Sequence, residues 1–81
     1  MNEYIATFFS HFGAVRFHKL LKAADFSAEL IPVPRSLSSS CGTAVRFFAD
    51  DPSPEGAHWD EIEQIAAVNE KGYLPLFRAE D

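Results

Sequence analysis

The apolar positions of the first fifty residues switch between two spacings. Residues 4–9, from Tyr4 to Phe9, form a run rich in aromatic and β-branched side chains, the pattern of a buried strand. Ser10 then offers a hydroxyl to cap a helix. Ala14, Phe17, Leu20, Leu21 and Ala24 follow at i, i+3, i+6, i+7 and i+10, which places them on one apolar stripe. Arg16, Lys19 and Lys22 face outward, and the two lysines lie toward the C-terminal end, where the helix dipole favours cations. Residues 28–33 read as a second strand, stopped by Pro32 and Pro34. Proline lacks the N–H of a central ladder, so this strand is expected at a sheet edge. Residues 43–48 give a third strand.

The second half reads differently. Asp50 to Gly56 is a turn leading into a helix start, with Ser53 at the N-cap and Pro54 in the first helical position. Trp59, Ile62, Ile65, Ala66 and Asn69 recur at helical spacing, and Asp60, Glu61 and Glu63 sit in the early turns. Gly72 after Lys71 fits a C-terminal cap. Residues 73–77 make a fourth strand, interrupted by Pro75 and so also expected at an edge.

The predicted order is therefore β-α-β-β-α-β. It implies an α+β, ferredoxin-like two-layer sandwich: a four-stranded antiparallel sheet with two helices on one face. Eighty-one residues suit one domain, 1–81. Right-handed crossovers bring the end of strand one, the start of helix one and the strand two–three loop to the same edge. Ser10 and His11 are thus expected near the loop from Arg35 to Gly42.

Composition narrows the partners. The chain is 47% hydrophobic and 14% aromatic, with eight Phe, enough to bury a core. A net charge of −5 with scattered basic residues argues against nucleic acid, whose binding needs clustered Lys and Arg. The same scatter disfavours a membrane surface, and no apolar run approaches the ~20 residues of a bilayer span. The start, Met1-Asn-Glu-Tyr-Ile, has no basic n-region, so no signal peptide is expected. One cysteine cannot close an internal disulfide, and a reducing, cytoplasmic setting is the expectation.

That cysteine, Cys41, is the chemically suggestive residue. A thiol reacts as thiolate, favoured by nearby cations, helix N-termini or backbone N–H groups. Its loop supplies Arg35, hydroxyls at Ser38, Ser39 and Ser40, and Gly42 for close backbone approach. Such a site suits a nucleophilic sulfur or a bound anion. The alternative is a small buried hydrophobe at the start of a strand. Arg35 reads either as an anion partner or as a solvated loop residue, and the serines either as ligand donors or as turn residues. No metal is expected: His11 and His18 are two helical turns apart, and His58 falls at the opposite end of the predicted sheet. No cofactor-binding fingerprint is present.

The segment Ile31-Pro-Val-Pro-Arg-Ser-Leu-Ser-Ser-Ser-Cys-Gly-Thr-Ala-Val-Arg-Phe47 resembles the signature of the selenium/sulfur carrier protein-like family, a group of small bacterial proteins. The matching positions are Thr7 to Ser10, Lys19 to Lys22, Pro32 to Arg35 and Ser39 to Gly42, in order over about residues 4–48. The resemblance implies a carrier whose Cys41 holds a sulfur or selenium atom as a persulfide or selenopersulfide. Arg35 and the surrounding hydroxyls would stabilise the anionic terminal atom, and the partners would be donor and acceptor proteins. The competing expectation is a non-catalytic module that binds a small ligand or pairs with a protein, a second copy included. A stand-alone enzyme is the weakest reading, with His11 the one candidate base.

Overall fold

The structure, a computed structural model, describes residues 1–79. Five strands and one helix follow one another as β1 (Asn2–Phe8), α1 (His11–Ala23), β2 (Ser27–Pro32), β3 (Thr43–Ala49), β4 (Ile62–Asn69) and β5 (Gly72–Arg78). A 3-10 turn at Trp59–Glu61 leads into β4. The strands lie in the order β2-β3-β1-β4-β5, every neighbouring pair antiparallel. The two proline-bearing strands, β2 and β5, occupy the edges, where a missing N–H breaks no central ladder.

The Ser10 hydroxyl accepts from the Gly13 N–H at 3.3 Å and caps α1, as its position before the apolar stripe predicts. The helix lays Ala14, Phe17 and Leu21 onto one face of the sheet. There they meet Tyr4, Ala6 and Phe8 of β1, Val45, Phe47 and Ala49 of β3, and Ile62 and Ile65 of β4. Phe17 is the hub, with its ring 5.3 Å from that of Phe8 and 5.4 Å from that of Phe47. Gly13 lets the helix start press against the 3-10 turn, since a Cβ there would meet the Glu61 Cβ at 3.2 Å. On the opposite sheet face Arg46 joins Glu3 and Glu29, tying β3 to both of its neighbours.

The ferredoxin-like βαββαβ sandwich does not form. In place of four strands and two helices there are five strands and one helix. The residues expected in the second helix are a loop, the 3-10 turn and β4. Ser53 is not a helix cap; its N–H donates to the Asp51 Oδ1 at 2.7 Å in a local turn. Ile62, Ile65 and Ala66 are all buried because β4 runs inside the sheet and is covered on both faces. Two-sided burial removes the alternation that marks a strand and leaves spacings that imitate a helix. Gly72 likewise serves a hairpin, not a helix end. It has φ +128 beside an Asn69 whose Oδ1 accepts from the Lys71 N–H, in the turn joining β4 to β5. The second crossover survives as chain path, for β3 and β4 flank β1 and run in the same direction, joined by the loop.

No helix of the described residues is long and apolar enough to cross a membrane.

Candidate functional site

The β2–β3 connection is a hairpin with a long tip. Val33 donates to the Gly42 carbonyl at 3.1 Å, and the tip opens with a turn in which Leu37 donates to the Pro34 carbonyl at 3.0 Å. Arg35 lies exposed in that turn and forms no salt bridge with a described residue. Cys41 follows at the foot of the loop, half-buried and unbridged. Its N–H donates to the Ser39 hydroxyl at 3.2 Å, and that hydroxyl donates in turn to the Phe8 carbonyl at 3.3 Å. The backbone immediately before the thiol is thus pinned to the end of β1.

The helix start faces the same loop. His11 Nδ1 stands 3.1 Å from the Thr43 hydroxyl, two residues beyond Cys41. The Ser10 hydroxyl is taken up by the helix cap, and Gly42 is exposed with open space where a Cβ would stand. His58, expected at the far end of the sheet, instead lines the crevice under the helix start with Gly13 and Glu61. Among the described residues no three His, Cys, Asp or Glu side chains come together as metal ligands.

What holds the loop comes from β4. In the β1–β4 ladder Thr7 pairs with Gln64 but Phe8 pairs with Ile62, so Glu63 is an extra, bulged residue. The bulge keeps Ile62 and Ile65 both in the core and turns Glu63 and Gln64 both toward the face opposite α1. There the Glu63 carboxylate accepts the Ser40 N–H at 3.2 Å, the Ser40 hydroxyl at 2.9 Å and the Thr7 hydroxyl at 3.2 Å. Gln64 donates from Nε2 to the Ser38 carbonyl at 2.9 Å. Three successive serines are therefore fastened to β1 and β4, and Cys41 is the next residue along.

Burial pushes the Glu63 carboxyl up. The Ser40 hydroxyl and N–H and the Thr7 hydroxyl, with the Ser39 hydroxyl close by, outweigh it and hold the carboxyl below its ordinary value. Glu63 is thus an anchoring carboxylate, not the solvated helix residue that its sequence position suggests. The signal that could have exposed it is the Glu-Gln pair between Ile62 and Ile65: two adjacent polar residues between core isoleucines require an extra residue in a strand.

Fold and loop together define an antiparallel α+β domain that presents one half-buried thiol at the foot of a fastened hairpin loop. The sequence model of the family described as "Putative Se/S carrier protein-like" matches residues 3–55, and the chain belongs to that family. The match runs from β1 through α1, β2, the cysteine loop and β3. No curated protein and no solved structure matches the chain.

Proposed function

We propose that this protein is a sulfur or selenium carrier whose Cys41 holds the cargo atom between a donor and an acceptor protein. The observation that supports this is the family match spanning Cys41, the one cysteine of the chain, half-buried on a fastened loop. For sulfur, the Cys41 thiolate attacks the outer sulfur of a donor persulfide. A new S–S bond forms at Cys41, the donor's S–S bond breaks, and the donor leaves as thiolate. An acceptor thiolate or other nucleophile then takes the terminal sulfur, and Cys41 leaves as thiolate. Neither step needs an added oxidant or reductant.

The bonding pattern divides the loop residues by role. Ser39 and Ser40 spend their hydroxyls on Phe8 and Glu63, so in this proposal they hold the loop and do not donate to the cargo. Arg35 and the Ser38 hydroxyl are the groups assigned to the anionic terminal atom, with Gly42 leaving room for a partner to approach. Ser10 positions the helix start, and His11 steadies the strand beyond Cys41 through Thr43.

The test is to incubate the protein with a cysteine desulfurase and L-cysteine and to weigh it intact. Wild type should gain the mass of one sulfur atom, removable by a thiol reductant, and Cys41→Ser should gain none. If wild type gains nothing, or the serine variant gains the same adduct, the carrier reading fails.

A further inference from the structure

A second feature adjoins the fastened loop and shares Ser38 and Glu63 with it. Phe9, Ser38, Glu63, Gln64, Arg78 and Ala79 line an open cleft of about 250 Å³. That volume is below the range of pockets for drug-sized molecules and suits a smaller ligand. Among the described residues, one of its acceptors has no donor and two of its charges have no ion-pair partner. Gln64 is 3% exposed, and its Oε1 is fully covered and accepts no hydrogen bond, while its Nε2 is committed to Ser38. A buried acceptor in that condition is rare and calls for a donor. Glu63 takes two hydrogen bonds at each oxygen, from the Ser40 N–H, the Ser40 hydroxyl and the Thr7 hydroxyl, but its charge forms no salt bridge with a described residue. Arg78 forms no salt bridge with a described residue, although it sits opposite Gln64 on β5.

We propose that this cleft binds a small zwitterion of the α-amino acid class. The ammonium group would lie toward Glu63 and the Gln64 amide oxygen, the carboxylate on Arg78, and the side chain against Phe9. A simple anion meets the unpaired Glu63 charge, and a simple cation meets Arg78. A ligand carrying both charges satisfies the two ends at once, and a protonated amine supplies the donor that Gln64 lacks. The covered state of Oε1 means that the ligand must displace neighbouring side-chain atoms on entering. The proposal does not depend on the carrier role of Cys41.

The experiment is a titration of the ¹⁵N-labelled full chain with L-serine, followed by NMR at the Gln64 side-chain amide and the Arg78 Nε–H. Saturable shifts at both groups, with a Kd near or below about 1 mM, are expected. Acetate alone and methylammonium alone should bind at least about tenfold more weakly. Arg78→Gln, an exposed change, should weaken L-serine binding by about tenfold or more, and Cys41→Ser should leave it unchanged. The proposal is overturned if L-serine gives no saturable shift in wild type, or if acetate matches it, which would mark a plain anion site. Loading of Cys41 by the desulfurase is read by mass and needs neither Arg78 nor L-serine, so each idea can fail without the other.

Discussion

Residues 3–55 and residues 56–79 divide the labour of this protein unequally. The first stretch matches the family, carries the helix and the lone thiol, and supplies most of the core. The second is a 3-10 turn and a strand hairpin, with no thiol and no α-helix. Yet the thiol loop is fastened chiefly by the second stretch, through Glu63 and Gln64. A motif can therefore sit in one region while the geometry that presents it is built by another.

If the two regions share one core, damage at its hub should be felt in both. Phe17→Ala removes the ring that bridges Phe8 and Phe47 and should cost about 3–5 kcal/mol. Thermal unfolding followed by far-UV circular dichroism and by Trp59 fluorescence should give one transition at a lower midpoint. Two separated transitions would show that the hairpin stands apart from the helix side.

The next test removes the fastening without touching the core. Glu63→Ala leaves the buried Thr7 hydroxyl and the Ser40 N–H without their acceptor and should cost about 1–2 kcal/mol. Alkylation of Cys41 by iodoacetamide should become faster in the variant, because the loop before the thiol is released. An unchanged alkylation rate would mean that the Ser39–Phe8 and Gln64–Ser38 bonds hold the loop without Glu63. Acid probes the same contact in wild type. The folded carboxyl lies below its unfolded value, so its contribution is fully present above about pH 4.3 and is lost as pH falls through the lower folded value. Wild type should therefore lose stability over that acid window more steeply than Glu63→Ala does.

The same contrast marks what could be read from sequence. The first strand, the capped helix, the edge strand ended by Pro32 and the cysteine loop each follow from a local signal that the fold does not override. The fourth strand carries signals with two meanings. Ile62, Ile65 and Ala66 match a helix stripe because a bulge and two-sided burial erase strand alternation. Lys71-Gly72 fits a helix end as well as a hairpin turn. Arg35, Cys41 and the three serines were visible as candidates from composition and order. Glu63 and Gln64 were not, because their roles exist only once β4 is laid beside β1 with an extra residue in the ladder.

Gly72→Ala tests that ambiguity at its cheapest point. A helix cap and a hairpin turn can both need positive φ, but here nothing lies within 4 Å of the added Cβ, so strain alone is measured. The substitution should cost about 1 kcal/mol. The hairpin predicts where the loss falls: amide exchange should quicken across β4 and β5 and stay unchanged in α1. Exchange spread evenly over the chain would instead show that β5 unfolds only with the whole.

The smallest effect belongs to the ion pair that bridges the two regions at the surface. Arg16 reaches Glu61 at 3.1 Å, with the arginine side chain 43% exposed. Water and salt screen such a pair, and a worth of about 0.2–0.5 kcal/mol is expected. Arg16→Gln should lower the unfolding midpoint slightly in dilute buffer and not at all in about 1 M salt, where screening is nearly complete. A larger, salt-independent loss would show that Arg16 acts through its stacking on Phe12, where its guanidinium lies 5.4 Å from the ring centre. In that case the helix start would be stabilised from within the first region, and Glu61 would add little to the join.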